Sequence, residues 1–412
     1  MQSSASSNTI SPLRSLKVHA SQPPVPWWQD LDPAAYAALQ LPSVSKAMLS
    51  PVDVVIIGGG VAGLSAALAI KKRDASMRVM VLEEAEMLGY GATGQNAGIF
   101  TPGINMAMSE IDPGSPALDF YPATTALFHE LIEEGKKENT LLSVRKTGAI
   151  NMATSKRAAQ KLEHETHLRE QAGLRAALWT PAQVDKATRG QLDTKPVVSA
   201  MWLPDEGRIQ PLTLLAHLAR QAREVYQVQI VGKARVLTYE VVKNSGQASR
   251  WHITLADSLT LQAGELVSCV GPTVEANARI YALAFKADFP DDFPLFWDAS
   301  PYTYADYRPG NRRLGVSGGR YGKAGVTKND SAYYKRLADA TRRWVPELRG
   351  TEPTHRWAVN LYVTADLVPA TRVLEGDAPG VAIEGLGAHG VLPGMVLARQ
   401  AAEYLVGRLA KE

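Results

Sequence analysis

The chain has 412 residues, 45% of them hydrophobic, and its 44 basic and 41 acidic residues leave a net charge of +3. That length exceeds one ordinary core and predicts two structural domains; the small, evenly spread charge, with no basic stripe interleaved with aromatics, argues against nucleic acid as a partner. One cysteine, Cys269, excludes an internal disulfide and any multi-cysteine metal site, and eight histidines without paired spacing give a metal no support.

Every apolar run is shorter than a bilayer span, so no transmembrane helix is expected. The first 22 residues carry seven serines, Arg14, Lys17 and His19, and no acid precedes Asp30. Two readings fit that composition, a loosely held tail or an organellar transit segment. The first goes with a cytoplasmic location, which one cysteine also favours; the second places the mature protein in an organelle. Residues 22–50 contain Pro23, Pro24, Pro26, Trp27 and Trp28 and read as an arm. Two adjacent tryptophans are costly to leave in water, so the arm is expected to lie on the body of the protein or on a partner subunit.

Residues 54–63 read VVIIGGGVAG. The short β-branched run fits a strand buried on both faces of a parallel sheet. Gly58, Gly60 and Gly63 then give the G-x-G-x-x-G spacing: a tight turn, close approach of a pyrophosphate to the backbone, and close packing of the following helix. Residues 64–71, LSAALAIK, suit that helix, whose N-terminus favours an anion. A second strand at 78–82 ends at Glu83, placed to accept hydrogen bonds from a ribose. Strand, glycines, helix, strand and acid in this order indicate a dinucleotide site.

Further on, 212–225 keeps one apolar helical face through Leu212, Leu215, Leu218 and Ala219. Residues 228–238 and 264–270 are strand-like, the second stopped by Gly271 and Pro272. The chain closes with a strand at 381–383, a glycine-rich segment at 385–390 and a helix from about 394 to 409. This is a second place where backbone amides and a helix N-terminus can face a cofactor, or else an ordinary strand-to-helix connection.

Residues 89–98, GYGATGQNAG, resemble the G-x-G-A-S-G-R-N-G-G stretch of the D-amino-acid oxidase-like FAD-dependent oxidoreductases, the group that includes glycine oxidase, gamma-glutamylputrescine oxidase and the D-amino-acid dehydrogenases. Residues 147–153 (TGAINMA), 203–211 (LPDEGRIQP), Tyr307-Arg308, Arg313-Leu314, Gly318-Gly319, Asp366 and Pro369 are similar to further landmarks of that family, in the same order, and the likeness covers about 50–410. It implies a mixed α/β (α+β) fold, a Rossmann-like FAD-binding domain from 51–110, 205–285 and 355–412 interleaved with a substrate domain on a large antiparallel sheet from 111–204 and 286–354. Residues 1–50 form the tail and the tryptophan-bearing arm.

The resemblance also implies the cofactor and its residues. Gly58, Gly60, Val61, Ala62 and Gly63 would hold the pyrophosphate, Glu83 and Glu84 the ribose, and Gly91, Ala92, Thr93, Gln95, Asn96, Ala97 and Gly98 the pyrophosphate and flavin edge. Val236, Cys269 and Gly271 would lie on the adenine side, and Gly387, Ala388, His389, Gly390, Val391 and Leu392 against the flavin, where a helix N-terminus stabilises developing negative charge. Gln95 and Asn96 stand where covalent relatives carry His, so non-covalent FAD is expected.

The implied activity is oxidation of the C–N bond of an amine or amino acid by hydride transfer to the flavin, with hydrolysis of the imine and reoxidation by dioxygen or another acceptor. His389, Arg320, Tyr307 and Tyr362 are the candidate catalytic residues; Arg308, Tyr302 and Tyr304 are further candidates for the pocket. Leu392 replaces the lysine with which sarcosine oxidases grip a carboxylate, which puts that clamp in doubt. Two alternatives remain: FAD-dependent oxidation of a 2-hydroxy acid, with His389 as the base, and a non-catalytic FAD-containing assembly protein. A homo-oligomer is compatible with either.

Overall fold

The computed structural model describes residues 24–243, 248–270, 276–298 and 303–409. The tail at 1–22, Gly271 and Tyr302 lie outside the described residues. Two eight-stranded sheets organise the molecule. In the first, Val52–Ile57 is central, parallel to Val79–Leu82 on one side and to Thr260–Ser268 on the other. Gln229–Val231 and Gly380–Glu384 extend the parallel set, and Val236–Val242 with Arg250–Leu255 adds an antiparallel meander.

Alternation along the central strand explains its burial on both faces. Val54 and Ile56 join a core with the helices Val61–Arg73, Pro211–Arg220 and Val391–Leu409, whereas Val55 and Ile57 pack with Trp251, Ile253 and Leu266 beneath the meander. The stretch 228–238, expected as one strand, is two: Lys233 takes φ +54° and the chain turns between Val231 and Val236. The helix expected over 212–225 is α-helical only to Arg220 and closes with a π turn, Gln221–Val225.

The second sheet runs His355–Leu361, Ala278–Lys286, Arg313–Lys323, Thr303–Arg308, Leu295–Asp298, Ala149–Ala153, Ser199–Leu203 and Ala177–Trp179. It is antiparallel except between Ala149–Ala153 and Leu295–Asp298. Ala278–Lys286 and His355–Leu361 were expected with the cofactor layer, but they pair with each other here. Their alternating faces show why. Tyr281, Leu283 and Phe285 pack with Leu337 and Ala338 of helix Asp330–Trp344, while Ala282, Ala284 and Trp357 turn toward the cofactor layer.

The arm lies on the body. Asp32 caps helix Pro33–Leu39 by accepting the Ala35 N–H at 2.7 Å. Trp27 is 1% exposed and Trp28 7%, so the two indoles are core residues. Among the described residues no helix is long and apolar enough to cross a membrane.

Candidate functional site

Gly58 takes φ +101°, which only glycine adopts without strain, and the turn it makes is sealed by Gly63. A Cβ on Gly63 would stand 1.9 Å from the Gly58 carbonyl oxygen, so the helix can approach the strand only if residue 63 has no side chain. Glu83 leans back over the turn: its carboxylate accepts the Gly59 N–H at 2.8 Å and the Ala85 N–H at 3.0 Å. Burial raises its pKa, and the two N–H groups oppose that rise. The Ala234 N–H donates to the Glu83 carbonyl at 2.8 Å, which brings the start of strand Val236–Val242 beside the acid. Glu84 points to Arg235, 3.4 Å away. Cys269 lies under the turn, its N–H on the Ile57 carbonyl at 2.8 Å, and burial pushes its thiol up to about 12, which makes it unreactive at neutral pH.

The same turn occurs twice. Within the 89–98 stretch, Gly89, Gly91 and Gly94 repeat the G-x-G-x-x-G spacing. Gly89 takes φ +94°, Gly91 has φ −80° and ψ −167° against −72° and −176° for Gly60, and a Cβ on Gly94 would stand 2.0 Å from the Gly89 carbonyl. The turns touch where Thr93 Oγ1 accepts the Val61 N–H at 3.2 Å. In front of Gly91 a Cβ would meet nothing within 4 Å. Two glycine turns, an open approach to the second and an acid over the first form a cradle that fits FAD.

The loop beyond is fixed from behind. The Gln95 carbonyl accepts the Trp357 indole N–H and the Asn96 carbonyl that of Trp27, each at 2.8 Å. The Gln95 side chain is turned inward, donating to the Tyr90 carbonyl at 2.7 Å. Asn96 Oδ1 accepts the Gly98 N–H at 2.7 Å. Arg308 donates to the carbonyls of Gly98 and Ile209, both at 2.8 Å, and its Nε lies 2.7 Å from the buried carboxylate of Asp306. It is thus a joint between layers and does not line a substrate pocket.

His389 stands between the glycine-rich segment and helix Val391–Leu409. Its Nε2 is 2.6 Å from the Thr101 carbonyl and 2.7 Å from Thr101 Oγ1. A carbonyl can only accept, so Nε2 carries the hydrogen and Nδ1 keeps a lone pair in the neutral ring. Burial holds the pKa of His389 below the ordinary value, and the positive charge of Arg169 acts in the same direction. His389, Asn105, Val363, Leu367, Leu386 and Pro393 line one cleft, with Gly387 on the same wall. Asn105 Nδ2 donates to the Tyr321 hydroxyl at 2.9 Å.

The other candidate catalytic residues separate. Tyr307 is 1% exposed, its ring packed on Phe289 at 5.1 Å in the core of the second sheet, so it does not reach the cleft. Tyr304 stacks near Trp297, at 5.4 Å. Tyr362 is half-buried at the end of strand His355–Leu361, next in sequence to the cleft residue Val363. Arg320 is exposed beside Tyr321 at a bulge between strands Ala278–Lys286 and Arg313–Lys323. Thr101, Asn105 and Tyr321 were missed by sequence reading, because nothing local marks them. Contacts across 216 and 288 residues bring them to the site.

A parallel-sheet layer carrying a double glycine cradle, set against an antiparallel sheet and with a cleft at His389, defines a dinucleotide-dependent oxidoreductase. The sequence profile described as "FAD dependent oxidoreductase" (DAO) matches residues 53–404, and the chain belongs to that family; its cofactor is FAD. Among curated relatives, L-2-hydroxyglutarate dehydrogenase of Indibacter alkaliphilus is 33% identical over 106 residues, 25% of this chain and 24% of that protein. The matched stretch thus spans about a quarter of that relative's length. Among solved structures, L-proline dehydrogenase from P. horikoshii superposes with a TM-score of 0.73 at 16% identity, covering 89% of this chain and 95% of that one. Glycine oxidase from Geobacillus kaustophilus gives 0.70 at 19% identity, covering 87% and 95%.

Proposed function

We propose that the protein oxidises the C–N bond of an amine or amino acid, with FAD held non-covalently by the two glycine turns, Glu83 and the 95–98 loop. The observation that carries this reading is the cleft at His389, walled by Val363, Leu367, Leu386 and Pro393 and provided with a neutral imidazole. An apolar wall disfavours an ammonium ion and favours the free amine, the form able to lose hydride. The Nδ1 lone pair of His389 is suited to taking a proton from the incoming substrate, and Asn105 and Tyr321 are suited to orienting it. Bound FAD supplies the hydride acceptor.

A second reading is favoured by one observation, the stretch shared with L-2-hydroxyglutarate dehydrogenases. Oxidation of a 2-hydroxy acid needs a base for the hydroxyl proton, and His389 meets that need as well. Arg320, exposed beside Tyr321, is then a candidate for the carboxylate.

Anaerobic mixing of the holoenzyme with amines, amino acids and 2-hydroxy acids in turn decides between them. Loss of the flavin absorbance near 450 nm with an amine or amino acid supports the first reading. Loss with hydroxy acids alone overturns it in favour of the second, and a flavin that none of them reduces removes both. Readmission of air, followed by a peroxide assay, identifies dioxygen or another compound as the acceptor.

A further inference from the structure

The N-terminal arm reaches the cofactor loop at one residue. Trp27 precedes Asn96 by 69 positions, yet its indole N–H ends on the Asn96 carbonyl. The indole is held on several sides. Its own backbone carbonyl accepts from Gln210 Nε2 at 3.0 Å, the Arg308 guanidinium lies 4.7 Å from its ring centre, and the Trp357 ring meets it edge-on at 6.3 Å. Those two neighbouring indoles donate to consecutive carbonyls, Gln95 and Asn96.

In a trans peptide unit the C=O and the following N–H point in opposite directions. With the Asn96 carbonyl turned onto the Trp27 indole, the Ala97 N–H turns to the other side. No hydrogen-bond acceptor for it is found among the described residues, whereas the Asn96 N–H closes the single-turn helix Ala92–Gln95. An unmatched amide so placed is suited to an anion or a carbonyl oxygen. Trp357, on the Gln95 carbonyl, fixes the preceding peptide unit and Trp27 the one that carries this amide.

We propose that Trp27 is a positioning residue for FAD: together with Trp357 it fixes the peptide units of 95–97 so that the Ala97 amide is presented to the cofactor. The arm is then part of the cofactor site although it precedes the glycine turn by some 30 residues. This inference concerns FAD binding alone and stands whichever substrate the enzyme takes.

Titration of the apoprotein with FAD, followed by flavin fluorescence, tests it in three single variants. Trp27→Phe and Trp357→Phe keep a ring and lose the indole donor; each is expected to raise the Kd for FAD about five- to tenfold, the size of one lost hydrogen bond, beside the lower apoprotein melting that any smaller ring in this core brings. Trp28→Phe is the control, because the buried Trp28 indole N–H has no partner among the described residues, and it should bind FAD as the wild type does. Lower melting of Trp27→Phe with an unchanged Kd would make the residue merely structural and overturn the proposal. Should the variants not fold, amide hydrogen exchange on the unmodified protein decides. The Ala97 amide is expected to be protected only when FAD is bound, and equal exchange with and without FAD overturns the proposal.

Discussion

The Nε2–H of His389 is committed to Thr101, and that single hydrogen bond fixes which nitrogen is basic. Because burial depresses its pKa, the ring stays neutral through physiological pH and gains its second proton only below the ordinary histidine value of about 6.5. The rate of flavin reduction should therefore fall on the acid side of that value and be flat above it. His389→Asn should retain FAD, lose that acid limb and reduce flavin about 100-fold or more slowly, as expected for removal of a general base. A stopped-flow pH series checks both, and an unchanged acid limb in His389→Asn would assign the proton step elsewhere.

Glu206 poses a second question at the same scale. It is 2% exposed, neither carboxylate oxygen has a hydrogen-bond partner among the described residues, and Arg169 Nη1 is 3.7 Å away. Burial pushes its pKa up to about 8, against the attraction of Arg169. Between the ordinary glutamate range and about pH 8, the folded state holds a proton that the unfolded chain has released. The stability this represents is complete below the window and is lost as pH rises through it. Glu206→Gln stays neutral throughout, so it should equal the wild type in thermal melts at pH 4 and exceed it at pH 9 by about 1–3 kcal/mol, the cost of a buried group left unmatched. A variant whose melting falls with pH as steeply as the wild type would clear Glu206 of this role.

Among the elements, the two glycine turns separate folding from binding. Gly63→Ala and Gly94→Ala drive a Cβ to 1.9 and 2.0 Å from a carbonyl oxygen. Each should cost about 1–3 kcal/mol or more of stability whether or not FAD is present. Gly91→Ala meets nothing within 4 Å at an ordinary φ of −80°, so it should melt as the wild type does while binding FAD more weakly. Equal losses of stability in all three would mean that the open approach at Gly91 is filled by protein.

The first turn was legible in the sequence because strand, glycines and helix are consecutive and their chemistry is local. The second carries the same spacing, but its strand is only Ile99–Phe100 and follows the turn, so it was legible only through the family resemblance of 89–98 and not from local pattern. The substrate side was the least legible. Alternation put Tyr307 in the core and Arg308 on the opposite face, toward the cofactor layer; one residue of register decides which of them meets the other layer. Sequence spacing cannot supply that register.

At the scale of the molecule, a buried triad joins the second sheet to a small three-stranded sheet of Ile99–Phe100, Gly207–Ile209 and Val144–Lys146 beside the cofactor loop. Asp306 is fully buried between Arg208 Nε at 3.0 Å and Arg308 Nε at 2.7 Å. Arg208 continues to the carbonyls of Tyr307 in the second sheet and of Phe293 just before strand Leu295–Asp298, and Arg308 to those of Gly98 and Ile209 beside the cofactor loop. Asp306→Asn keeps the shape and removes the charge, leaving two buried guanidinium groups that repel each other. Loss of one partner from a buried ionic group costs about 3–5 kcal/mol, so the apoprotein of this variant should melt well below the wild type. FAD binds only the folded form, so adding it at about 100 times its Kd should return about 2.7 kcal/mol. Because Arg308 also orients Gly98, the Kd itself should rise, and a given FAD concentration should restore less stability than it adds to the wild type. Melting curves across an FAD series measure both terms. If Asp306→Asn melts lower yet gains from each FAD concentration the increment that the wild type gains, the triad holds the layers together without shaping the cofactor site.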